Sequence, residues 1–226
     1  MRSYDRSQPL IFIHVPKAAG TTTRQIFDQW FGAGLLPHYY RESEAKMPEK
    51  HDIFALHRFD QPLVVYGHFN RKRQFGIEDY YPDARQFISI LRDPFELMVS
   101  AYFFMNRHAH GWADRTRAPG PSVNDYLNQN KSTMLNHFPR MVTFDNYKEI
   151  IEEFFIEIGI AERLEASMQR IANKLGMPFD TTTLGYLNVS ERNQEVAGHL
   201  RDIFVDNNQL EYAVYNYVKN KFNEVI

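Results

Sequence analysis

The chain has 226 residues, a formal net charge of −2 and no cysteine. It therefore has neither a global basic field suited to nucleic acid nor any disulfide or thiol chemistry. Apolar residues make up 43%, enough for one packed domain over 1–226 and too many for a disordered chain. No apolar run approaches the roughly 20 residues needed to span a bilayer. The start, MRSYDRSQ, has no apolar segment of the secretory kind, so a cytoplasmic protein is expected.

Leu10-Ile11-Phe12-Ile13 reads as a buried strand. The turn Pro16-Lys17-Ala18-Ala19-Gly20 follows, then Thr21 to Thr23 and a helical pattern with Ile26, Phe27, Trp30 and Phe31 on one face. Strand, small-residue loop and helix make a cradle for phosphate. The first N–H groups of a helix have no partner inside it, and the helix dipole favours an anion there. Ala18, Ala19 and Gly20 keep side chains out of the way, Thr21 and Thr22 add hydroxyls, and Lys17 adds a mobile cation. Lys17 precedes Gly20 by three residues, whereas a Walker A lysine directly follows its last glycine. An ordinary strand–turn–helix capped by a threonine is the plainer alternative.

Residues 32–50 read as a loop, Ile53 to His57 as a second strand, and Leu63 to Tyr66 as a third that ends at Gly67-His68. In open α/β sheets functional groups gather beyond the carboxyl ends of strands, where Lys17, His68 and, as a second candidate, His57 would fall. Arg71-Lys72-Arg73 reads either as a basic lip beside His68 or as a solvated loop. Phe87 to Leu91 is the next strand. It runs into Arg92-Asp93-Pro94 and a helix in which Asp93 caps and Pro94 takes the first position. Ser100 lies about two helical turns past Asp93 and faces the same side, so Arg92 and Ser100 can grip one phosphate. A capped helix whose Arg92 pairs with Asp93 is the competing reading.

Residues 106–122 read as a loop bordering an acceptor. His108 and His110 in it are too sparse a set for a metal. A short helix is expected over 123–128. Asn136, His137 and Arg140 could touch substrate. Another helix is expected over 147–154, a strand over 155–160, an amphipathic helix over 161–175 stopped by Gly176, and two last helices near 194–204 and 208–222.

Two of these segments carry a resemblance. IHVPKAAGTT is similar to the 5′-phosphosulfate loop of the sulfotransferases that use 3′-phosphoadenosine 5′-phosphosulfate (PAPS), in the branch with the carbohydrate 2-O- and 6-O-sulfotransferases. LRDPFELMVSAY resembles their 3′-phosphate motif, with Arg92 and Ser100 eight residues apart. YGHF resembles the element that bears the catalytic base in the 2-O enzymes. YLNVSERN resembles the loop that closes over the cofactor, which adds Ser190 and Arg192. The likeness runs from about Ile11 to Val218. It departs at Ala18-Ala19, where many relatives have Thr-Gly or Ser-Gly.

The resemblance implies an α/β, P-loop-like three-layer domain with a central, mainly parallel sheet flanked by helices. It implies PAPS held by Lys17, Ala18, Ala19, Gly20, Thr21, Thr22, Arg92, Ser100, Ser190 and Arg192, with no metal required. His68 would be the general base, and Lys17 would stabilise the leaving oxygen. His57, Arg71 and Arg73 would face a hydroxyl acceptor, in all expectation a carbohydrate. Golgi relatives carry a membrane anchor and stem; the first strand begins within ten residues of Met1, so a soluble, bacterial version is expected. A P-loop nucleotide kinase and a non-catalytic nucleotide-binding protein are the alternatives.

Overall fold

The computed structural model describes residues 1–184 and 192–224. Five strands form one parallel sheet: β1 (Leu10–Ile13), β2 (Leu35–His38), β3 (Val64–Gly67), β4 (Phe87–Leu91) and β5 (Phe155–Ile160), in the order β2-β3-β1-β4-β5. β1, β3, β4 and β5 are buried along their whole length. That is why they read as unbroken apolar runs and not as an in–out alternation. Among the described residues the helices are α1 (Gly20–Phe31), α2 (Ile53–Leu56), α3 (Ile77–Tyr80), α4 (Pro94–His108), α5 (Val123–Gln129), α6 (Tyr147–Phe154), α7 (Leu164–Leu175), α8 (Leu200–Asn207) and α9 (Gln209–Glu224). None of them is long and apolar enough to cross a membrane.

The sheet and α1 meet through aromatic packing. Phe12 of β1 stacks on Tyr66 of β3 with ring centroids 4.5 Å apart and meets Phe27 of α1 edge-on at 4.7 Å. Offset and edge contacts of this kind add to the burial term. The Tyr66 hydroxyl donates to the Gly20 carbonyl at 2.9 Å and lies 2.5 Å from Thr23 Oγ1. The first turn of α1 is thereby tied to the neighbouring strand. Gly176, with φ of 66°, ends α7 in the left-handed region as expected.

Three expectations need correction. The 32–50 segment is not all loop, because it contains β2. That strand was hidden by Pro37, which breaks the pattern yet is tolerated on an edge. Ile53 to His57 is not a strand. Ile53–Leu56 is one helical turn, and the Asp52 carboxylate accepts from the Ala55 N–H at 3.1 Å. A four-residue apolar run cannot by itself tell strand from helix. The penultimate helix starts at Leu200, six residues later than expected.

β2 is held against β3 at a position where only glycine fits. A Cβ on Gly67 would come within 1.9 Å of the His38 carbonyl oxygen, and that oxygen accepts the His68 N–H at 2.9 Å. Gly67→Ala should push the edge strand away and cost about 1–3 kcal/mol, read as a lower urea midpoint at unchanged slope. An unchanged midpoint would show that the strand moves without cost.

Candidate active site

Because the strands are parallel and β1 lies between β3 and β4, their carboxyl ends point the same way, side by side. Each delivers one polar residue: His14 follows β1, His68 follows β3 and Arg92 follows β4. The loop from Pro16 to Ala19 crosses the same edge. Lys17 and Ala19 both take positive φ, 67° and 61°. Left-handed backbone costs on the order of 1–3 kcal/mol at a residue with a Cβ, so the fold imposes this shape. A left-handed Ala19 followed by helical Gly20 is the backbone sequence that turns successive N–H groups toward one point, a concave anion site.

Lys17, Arg92 and Arg107 lie around it, and among the described residues none of them forms an ion pair with an acid. Lys17 Nζ stands 4.2 Å from the centre of the Phe104 ring. Burial, and after it the nearby Arg92 and Arg107 charges, lower its pKa. Arg92 donates to the Lys17 carbonyl at 3.0 Å and so braces the loop from the next strand. The competing pairing of Arg92 with Asp93 is absent. Asp93 instead caps α4, accepting the Glu96 N–H at 3.0 Å, and pairs with Arg201 at 3.2 Å. Ser100 is buried two turns into α4. Like charges gathered with no carboxylate paired to them among the described residues suit an anion.

His68 sits deeper. Burial first, and then the neighbouring His14, His137, His38 and Arg73, push its pKa well below 6.5. Its Nε2 is buried and meets no hydrogen-bond partner among the described residues. A neutral imidazole with a vacant ring nitrogen is a ready proton acceptor. His14 lies against it with ring centroids 4.4 Å apart, Tyr39 closes another side at 4.8 Å, and His137 stands at 6.3 Å. Among the described residues no three His, Asp or Glu side chains form a metal-binding group.

The description "Sulfotransferase family" matches residues 3–218. The chain belongs to the sulfotransferase family. No curated protein is significantly similar in sequence. Among solved structures, a sulfotransferase from Alicyclobacillus acidocaldarius is similar at 14% identity and TM-score 0.51, covering 92% of this chain and 96% of that one. Mouse sulfotransferase SULT7A1, complexed with PAP, is similar at 13% identity and TM-score 0.50, covering 79% of this chain and 62% of that one. This chain thus corresponds to under two thirds of the mouse enzyme. The likeness to these structures shows the same three-layer α/β fold.

Within this sulfotransferase, four of the expected site residues are placed elsewhere or otherwise engaged. His57 lies at the opposite, amino-terminal edge of the sheet. Its Nε2 contacts the Arg6 carbonyl at 3.0 Å and its Nδ1 accepts the Leu63 N–H at 3.3 Å. Both ring nitrogens are occupied, so it is a structural histidine. Arg71 pairs with Glu78 at 3.2 Å, and Arg73 pairs with Glu42 at 2.7 Å while lying 4.0 Å over the Tyr40 ring. The two arginines of the basic run are therefore held in separate ion pairs. Arg192 is held by Glu96 at 2.6 Å, beside the first turn of α4. Ser190 lies outside the described residues.

Sequence reasoning gave no role to His14, Tyr39, Phe104 or Arg107. His14 was visible as the residue just before Val15-Pro16-Lys17. Tyr39 has no local signal, because its position depends on where β2 pairs.

The buried histidines make stability depend on pH. His38 and His137 are each lowered to about 4, mainly by burial. A histidine depressed in the folded state contributes fully above its unfolded pKa of about 6.5, and that contribution is lost as pH falls toward the folded value. Each should cost on the order of 2 kcal/mol by pH 5. The melting temperature should therefore drop steeply between pH 7 and pH 5; a flat profile would mean that these rings are charged or exposed.

Proposed function

We propose that this protein moves the sulfuryl group of PAPS to a hydroxyl of a carbohydrate, by in-line transfer with His68 as general base. The observation that carries the proposal is the meeting of three strand ends. They bring a neutral histidine, whose Nε2 has no partner among the described residues, beside a cationic, left-handed loop that no described acid pairs with. PAPS supplies an already activated sulfuryl group. The Pro16 to Thr22 loop, with Lys17, holds its 5′-phosphosulfate, and Arg92 and Ser100 hold its 3′-phosphate. Proximity and alignment then account for a large share of the acceleration.

In the reaction a new bond forms from the acceptor oxygen to sulfur, and the bond from sulfur to the 5′-phosphate oxygen breaks. The acceptor proton passes to His68 Nε2. Lys17 stabilises the negative charge that develops on the departing oxygen, a role a divalent metal plays in kinases. The first residues beyond β3 and β4 are His68 and Arg92, where a kinase needs an acid for magnesium. Asp93 is already occupied as helix cap and as partner of Arg201.

A sugar acceptor is supported by the likeness of the YGHF segment to the 2-O-sulfotransferases. The ion pairs of Arg71 and Arg73 remove the main reason to require an acidic sugar. A single cytoplasmic domain over 1–226 completes the reading. The test is transfer of labelled sulfate from PAPS to a panel of glycans and phenols. Labelled glycan is the expected result. Labelled phenol alone would overturn the acceptor class, and no transfer to any acceptor would overturn the activity.

A further inference from the structure

His14 touches both halves of the site. On one side its ring packs 4.4 Å from the His68 ring. On the other it lies directly over Gly20, the first residue of α1. A Cβ there would fall 1.6 Å from His14 Nε2, so glycine is required for the ring to occupy this place. His14 thus contacts both His68 and the first residue of α1, which the loop leads into.

Its hydrogen-bond partner decides which ring nitrogen carries the hydrogen. His14 Nδ1 is 3.1 Å from the Tyr39 hydroxyl. Burial raises the pKa of Tyr39, which stays a protonated phenol. The Arg24 guanidinium lies against Tyr39 and favours its oxygen as an acceptor on that side. The phenol proton then has one acceptor among the described residues, His14 Nδ1. A neutral imidazole that accepts at Nδ1 carries its hydrogen on Nε2. Burial, followed by the charges of His137, Lys17 and Arg24, holds His14 down at about 3, so it is neutral at any working pH.

We propose that His14 is a further catalytic residue: its Nε2–H, fixed on that nitrogen by the Tyr39 hydroxyl, donates a hydrogen bond to a non-bridging sulfuryl oxygen during transfer. This rests on the sulfotransferase reading above. His14 gains and loses no proton; the acceptor proton goes to His68 and the leaving electron pair to the 5′-phosphate oxygen. Charge spread over the equatorial oxygens is what a preorganised donor stabilises best. Tyr39 is a positioning residue that acts through His14.

The test is single-turnover decay of labelled PAPS with excess enzyme, with water alone and with chemically desulfated heparin as acceptors, alongside calorimetry with PAP, which lacks the sulfuryl group. His14→Phe should lower the rate by about 10²–10³, the usual loss for one such donor, while PAP affinity stays within about threefold. His14→Gln, whose amide can donate from a similar position, should recover at least about tenfold over His14→Phe. Tyr39→Phe keeps the ring and packing and should cost about tenfold through the freed tautomer; it also serves if His14→Phe melts early. The proposal is overturned if His14→Phe turns over within about threefold of the native chain, or if PAP affinity falls in step with rate, which would make the ring mere packing on Gly20. A native chain that neither binds PAP nor consumes PAPS sinks the sulfotransferase reading itself, a result distinct from either.

Discussion

His68→Ala is expected to lower kcat by about 10²–10⁴, the range for loss of a general base, with the affinity for PAP nearly unchanged. The split follows from position. His68 follows β3 and its Nε2 has no partner among the described residues, whereas the cations expected to grip the nucleotide follow β1 and β4. The pH profile adds a second signature. The His68 pKa lies well below 6.5, chiefly through burial. Lowering the pH protonates the imidazole and removes the acceptor, so kcat/KM falls on the acid side. That fall should lie well below pH 6.5 and vanish in His68→Ala. An inflection near 6.5 that persists in the variant would assign the base elsewhere. With both nitrogens of His57 occupied, the search would turn to His137.

Lys17→Ala should cost about 10²–10³ in kcat, the usual loss for one group that stabilises charge in the transition state, and should weaken donor binding as well. Lys17 differs from His68 in this second effect, because its cation faces an anion in both ground and transition states. Its backbone is already left-handed at φ 67°, and alanine pays the same strain there, so the loop shape should survive. The Arg92 hydrogen bond that braces it reaches the Lys17 carbonyl, not the side chain. Wild-type turnover in Lys17→Ala, measured with saturating labelled PAPS, would place leaving-group stabilisation on Arg92 or Arg107 instead.

The elements around the candidate site were legible because they are contiguous stretches. Leu10 to Phe31 and Phe87 to His108 each hold a strand, a turn and a helix, so the local pattern shows them directly. The same holds for β5 and α7, where an apolar run and then a 3.6-residue period stop at Gly176. What was missed depends on contacts distant in sequence. Arg73 meets Glu42 thirty-one residues away, so a charge that reads as free is paired in the fold. Tyr39 reaches His14 across twenty-five residues, through an edge strand that Pro37 disguised. His57 reads as a strand-end residue only if its segment is a strand. Once Asp52 caps a turn there, the ring is carried to the other edge of the sheet.

The most direct measurement is calorimetric titration of the native chain and of Arg92→Ala with PAP and with AMP, which differ by the 3′-phosphate. Tighter binding of PAP by about tenfold or more is expected for the native chain, as for a charge-assisted contact of about 1.5–3 kcal/mol, with most of that gap lost in Arg92→Ala. Equal affinity for the two nucleotides, or a gap that Arg92→Ala leaves intact, would contradict the assignment of opposite ends of one bisphosphorylated nucleotide to the Lys17 loop and Arg92.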